Sequence, residues 1–300
     1  MSYTEHFGLD REPFSNAPDA RFYLNTEQHS QALLRLMYAV DSNKGLAVLV
    51  GCVGTGKTTL ARRMLDSLPE ERYESSLLVM VHSGITPAWI LTRIAMQLGV
   101  PEPAADRLAL LRQLYDRLLQ IEESGRRAVV LIDEAQMLQT RELMEEFRGL
   151  LNLEIPGKKL LNIIFFGLPE VEDCLRLDEP LAQRVAVKFR LHSLTPAACE
   201  SYIKHRLQVA GARRMLFAAD TIPALHRYSG GVPRLINTLC DNCLFETYML
   251  KQTVVDLKIV HSVAGDLGLL RQPLVEIAPA PRGAELDEID SLLDRLEQKF

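Results

Sequence analysis

The sequence predicts an α/β chain, with helices flanking a parallel sheet and a small all-helical portion after it. Three observations carry this reading. Apolar runs of strand length alternate with stretches of helical spacing as far as Leu191. The glycine-rich run GCVGTGKTT, residues 51–59, joins one such strand directly to a helix. Beyond Leu191 the period changes and helical spacing continues alone.

The elements follow in chain order. LAVLV, residues 46–50, is uninterrupted and apolar, the pattern of a strand buried on both faces. The glycine-rich loop comes next, and TLARRMLDSL after it has helical character. SLLVMVH (residues 76–82), the apolar start of AVVLIDEAQ (128–136), LNIIFFG (161–167) and VAVKFRL (185–191) supply further strands of the same sheet. Between them, residues 89–98 and 108–121 place apolar side chains at helical intervals. Trp89 is expected in the core rather than as a platform for a nucleic-acid base. LTPAACESYIKHRLQVAG then opens a helix with Thr195 as cap and Pro196 in its first turn. Residues 220–228, 233–250 and 255–263 continue as helices.

The organisation is therefore asymmetric. Residues 1–192 form an N-terminal segment plus the α/β core, and residues 193–266 form the helical portion. Residues 267–284, rich in Pro and Ala, are expected as an extended linker. Residues 285–300 put Leu286, Ile289, Leu292, Leu293, Leu296 and Phe300 near one helical face, with a largely acidic face opposite. Such a helix docks on its own core or on a partner.

Composition excludes several classes. Of 300 residues, 47% are hydrophobic and 24% charged, the balance of a chain with a sizeable core. The net charge of −5 gives no global positive field for nucleic acid; Arg62 with Arg63 and Arg213 with Arg214 form small basic pairs but no long basic stripe. The opening residues lack the basic start and apolar run of a signal peptide, and no apolar stretch is long enough to span a bilayer. A cytoplasmic protein, or one peripheral to the inner membrane through protein partners, is expected. Five cysteines, an odd and low count, argue against a disulfide scaffold. Cys240 and Cys243 fall on one face of a helix, where core packing is the simpler reading; redox or metal chemistry is the alternative, and zinc would need two more ligands.

The loop carries the chemistry. Gly51, Gly54 and Gly56 let the backbone fold tightly, so that N–H groups from the loop and the helix start, Thr55 among them, face phosphate oxygens. Lys57 reaches the β- and γ-phosphates, Thr58 offers a hydroxyl to magnesium, and Thr59 supports the loop. In IDEAQ, Asp133 ends a strand where it can hold magnesium, through water, and Glu134 can polarise an attacking water. Binding needs one carboxylate and hydrolysis a second acceptor, so the pair points to ATP hydrolysis with ATP and Mg²⁺ as ligands. Gln136 either links nucleotide state to a neighbour or is simply solvated.

Taken together, the phosphate loop, IDEAQ and the later GGVPRLIN resemble AAA+ ATPases, and among them the ExeA-type group of bacterial secretion ATPases, with relatives in MSHA-type pilus biogenesis and exopolysaccharide export. FGL (residues 7–9), PF (13–14), PD (18–19), FYL (22–24) and HSQALLRLMYAV (29–40) resemble that group too, so the likeness covers about residues 1–266. It implies a P-loop NTPase core with a five-stranded parallel sheet, a helical lid, ATP held between the two, and the N-terminal segment near the adenine. It implies self-association into an ATP-dependent oligomer and envelope-assembly or export proteins as partners, with a further partner for the acidic terminal helix. By the same likeness Arg234 is the lid arginine that touches the γ-phosphate, and Arg184 is an arginine finger for the next subunit, with Arg176 a weaker candidate. One position departs: Leu168 stands where the family carries a polar residue, so Asn162 or backbone geometry must help align the lytic water, or turnover is slow. A nucleic-acid-stimulated ATPase of the transposition-regulator or loader type is the alternative function, and a nucleotide-gated scaffold with slow hydrolysis is a third.

Overall fold

The computed structural model of the chain describes residues 2–17 and 19–270. Pro18, most of the expected linker and the expected terminal helix lie outside the described residues. Five parallel strands form one sheet: β1 (Leu46–Gly51), β2 (Tyr73–Val79), β3 (Arg127–Asp133), β6 (Leu161–Gly167) and β7 (Val185–Leu191), in the order β2-β3-β6-β1-β7. A small antiparallel hairpin, β4 (Glu154–Ile155) with β5 (Lys158–Lys159), precedes β6.

The central strands alternate their side chains between two apolar layers, as the twofold period of a strand requires. Leu46, Val48, Val50, Val130, Ile132, Ile163 and Phe165 face one layer, with side chains of α4 (Pro87–Gln97), α5 (Arg107–Glu123) and α6 (Arg141–Leu150). Ala47, Leu49, Val129, Leu131, Ile164 and Phe166 face the other, with α2 (Glu27–Asp41) and α3 (Lys57–Asp66). Burial on both faces explains why these strands are continuous apolar runs. Polar caps start the helices: the side chains of Thr26, Thr86, Asp106 and Thr140 each accept the backbone N–H three residues on.

β2 lies three residues earlier than its apolar run suggests. Glu74, Ser75 and Ser76 hide its start from a search for hydrophobicity, yet Glu74 is held by Arg117 and Arg126. The chain leaves the sheet after Met80 N–H donates to the Asp133 carbonyl, and Val81 is 79% exposed. Trp89 also departs from expectation. It is 39% exposed beneath the Arg93 guanidinium, because Ile90, Leu91, Ile94 and Ala95 take the inner face of α4.

A third apolar cluster is built from α9 (Pro196–Val209), α10 (Thr221–Ser229), α11 (Pro233–Met249) and α12 (Leu257–Asp266). Thr195 caps α9, with Pro196 in its first turn. Cys240 and Cys243 are buried in this cluster on α11, and burial pushes the Cys243 thiol up to about 12. The chain's first segment packs here too, although the sequence grouped it with the α/β core. Leu9, Phe14 and Phe22 are part of the helical cluster. The polar reason is Arg206 of α9: its buried guanidinium donates to the Pro13 and Ser15 carbonyls. Asp10 N–H adds a bond to the Ala210 carbonyl at the end of the same helix.

Candidate functional site

The carboxyl ends of β1, β3 and β6 converge on one cavity of about 310 Å³. Ligand sites of open parallel sheets lie at this edge, where crossovers diverge. The floor is the loop from Val53 to Thr59; Glu134 and Leu168 close one side, and residues of the first segment and of α9 and α11 close the other.

The loop's shape demands its glycines. Gly54 and Gly56 have φ of 77° and 101°, in the region glycine tolerates. A Cβ on Gly51 would lie 2.8 Å from the Leu191 carbonyl oxygen. Thr55 is buried, its hydroxyl donating to the Cys52 carbonyl at 2.8 Å. Lys57 opens α3, and its Nζ donates to the same carbonyl at 3.0 Å. Burial draws the Lys57 pKa down, against the opposing pull of Glu134 and Asp133. Thr58 and Thr59 also line the cavity.

Asp133 is fully buried at the end of β3. Its Oδ1 accepts the Glu134 N–H at 3.0 Å, while Oδ2 is a buried oxygen without a hydrogen-bond partner. Burial raises its pKa, opposed by the Thr58 hydroxyl beside it. A buried carboxylate oxygen without a partner, next to a threonine hydroxyl that lines the cavity, fits a magnesium ion that keeps most of its water and takes few protein ligands. Glu134 follows with φ 55° and ψ 38°, a left-handed turn that departs from the strand direction. Its carboxylate accepts from Gln136 Nε2.

Arg234 stands over the loop. Its backbone N–H donates to the Gly54 carbonyl at 3.3 Å, and its side chain lines the cavity. Arg184 does not line this cavity: it sits at the start of β7, where Nη1 donates to the Arg148 carbonyl at 3.4 Å. Arg176 is exposed and paired with Asp173. Asn162 cannot serve the water. It occupies the amino end of β6, bonded to Gly45 N–H and Asn43. Six residues of strand, roughly 20 Å, separate it from Leu168.

The resemblance implied that the helical portion and the N-terminal segment close the far side, but apart from Arg234 it named no residue there. Asn16, Tyr23, His29, Tyr202 and Asn237 all line the cavity. Asn237 Nδ2 donates to Asn16 Oδ1 at 3.0 Å and Tyr202 OH to Asn237 Oδ1 at 3.0 Å, so first segment, α9 and α11 form one polar seam. His29 is buried, bonded to the Thr26 hydroxyl, and burial lowers its pKa. Tyr23 in FYL and His29 in the segment 29–40 fall within the family resemblance, but nothing local gave their distance to the loop.

Residues 40–175 match the AAA domain family. Over 270 residues the chain is 38% identical to general secretion pathway protein A of Aeromonas hydrophila, an alignment covering 89% of this chain and 47% of that protein. The chain thus spans about half the length of that relative. Among solved structures it resembles the ORC2 protein of Aeropyrum pernix (TM-score 0.63, 16% identity, covering 86% of this chain and 72% of that one). Cdc6p of Pyrobaculum aerophilum gives a TM-score of 0.64 at 16% identity, covering 85% and 70%. The Walker-type ATPase of Pyrococcus abyssi gives 0.60 at 16% identity, covering 95% and 81%. At these identities the structural likenesses establish the fold alone, an α/β core followed by helices. Among the described residues no helix is long and apolar enough to cross a membrane.

Proposed function

For a chain that is a homologue of general secretion pathway protein A and carries an AAA domain, we propose an ATP-hydrolysing AAA+ switch or motor subunit in envelope-associated assembly or export. The observation that carries the hydrolysis reading is the juxtaposition of Lys57 and Glu134 on one loop-floored cavity with the unpartnered Asp133 oxygen buried beside them. Thr58 and Asp133 would hold magnesium, which when bound neutralises phosphate charge. Lys57 and the loop N–H groups bind the β- and γ-phosphates. Glu134 takes a proton from the attacking water as its oxygen bonds to the terminal phosphorus and the bond to the ADP oxygen breaks. Arg234 bears on the γ-phosphate from the helical side, so phosphate loss would release α11 from the loop. Arg184, outside its own chain's cavity, acts on a neighbour's site in an ATP-dependent oligomer.

The test measures ATP turnover and particle mass together, with magnesium, without addition and with duplex or single-stranded DNA. Magnesium-dependent turnover in an ATP-formed oligomer, unchanged by DNA, is expected. No turnover in any oligomeric state sinks the hydrolysis reading, and strong DNA stimulation replaces envelope work with a nucleic-acid role.

A further inference from the structure

The Glu134 carboxylate is held by a single hydrogen bond among the described residues, and its donor is a buried amide. Gln136 is 6% exposed, behind the cavity wall rather than on it. Its Nε2 donates to Glu134 Oε2, and its Oε1 accepts the Leu168 backbone N–H at 3.0 Å. The amide can adopt only one orientation here. A carboxylate needs a donor and an N–H needs an acceptor, so a flipped amide would lose both bonds. The strand end is shaped around it: a Cβ on Gly167 would lie 2.7 Å from Gln136 Oε1 and 2.5 Å from Val171 Cγ2.

We propose that Gln136 is a positioning residue that ties Glu134 to the carboxyl end of β6. Leu168 has no polar side chain to offer, but its backbone N–H reaches Glu134 through this amide. The bridge fixes a carboxylate that a left-handed backbone turn has already aimed away from the strand. It also couples that carboxylate to any shift of residues 167–168. This role rests on the hydrolysis reading above.

Two variants test it. Gln136→Leu removes both bonds; Gln136→Glu keeps the acceptor for Leu168 N–H but sets a carboxylate against Glu134. Turnover at saturating magnesium and ATP, ATP affinity from a fluorescent nucleotide, and melting temperature are measured on each full-length chain. Both variants should lose roughly 10- to 100-fold in kcat, up to the cost of displacing a catalytic group by about 1 Å, with ATP affinity within about fivefold of the parent. A merely structural role would lower melting temperature and affinity together without that split. If Gln136→Leu fails to fold, Gln136→Glu decides. A folded variant whose kcat stays within about twofold of an active parent overturns the positioning role alone. A parent chain without turnover overturns the hydrolysis reading, and the positioning role with it.

Discussion

Gly54 joins the phosphate loop to the helical portion, and replacing it separates two costs that usually mix. In Gly54→Ala the new Cβ would lie 2.8 Å from Arg234 Cβ and 3.0 Å from Val232 Cγ1, contacts too short to keep. The backbone sits at φ 77°, where an L-residue costs about 1–2 kcal/mol. Gly157, in the hairpin turn, supplies the control: its φ is 78°, but no atom lies within 4 Å of its Cβ position. Gly157→Ala should therefore lose about 1–2 kcal/mol in urea unfolding and bind ATP unchanged. Gly54→Ala should lose a similar backbone component and, in addition, push α11 off the loop, breaking the bond from Arg234 N–H to the Gly54 carbonyl. A loss of about 1.4–2.8 kcal/mol in binding corresponds to roughly 10- to 100-fold weaker ATP affinity, measured by calorimetry. If Gly54→Ala binds ATP within about twofold of the parent, contact between loop and helix is not part of the binding site. If Gly157→Ala weakens ATP equally, the effect is not local.

Three more outcomes follow. Burial raises the Asp133 carboxyl pKa, so the folded chain binds this proton more tightly than the unfolded chain; its contribution to stability falls as pH rises from the ordinary carboxylate range through the raised value. Asp133→Asn should thus melt higher than the parent at neutral pH without nucleotide, yet gain less on adding magnesium and ATP, both read by scanning calorimetry; a lower nucleotide-free melting temperature contradicts this. Arg206→Met should cost about 2–4 kcal/mol in denaturant unfolding, because the buried Pro13 carbonyl and the half-buried Ser15 carbonyl lose a charged donor, and should expose the first segment to protease. Finally, mixing Arg184→Ala with Glu134→Gln subunits should restore part of the turnover each lacks, since some interfaces then pair an intact finger with an intact site; a verified mixed oligomer without recovery removes Arg184 from that role.

How much of the site was legible depended on how far apart its parts lie in the chain. The loop glycines, Lys57 and Thr58 are contiguous, and Asp133 with Glu134 ends a strand whose burial on both faces is written as an apolar run. Caps such as Thr195 and Asp256 act over three residues, so they too are local. Gln136 was visible beside Glu134, but whether it was solvated or buried turned on Leu168, 32 residues away. Asn162 looked available only until its strand was placed in the parallel sheet, where it lies at the amino end, away from the loop, bonded to Gly45 N–H and Asn43.

Sequence by itself determined most strands of the sheet, the later helices, the glycine-rich loop and the acidic strand end, because backbone preference, side-chain period and capping are set within a few residues. Tertiary structure alone decided that the first segment packs with the last helices, that Asn16, Tyr202 and Asn237 meet across one cavity, and that Arg184 lies outside its lining. Those contacts join residues from 35 to more than 200 positions apart. They arise when separate apolar faces are buried together and each buried polar group must find a partner, a condition on the whole chain rather than on any stretch of it.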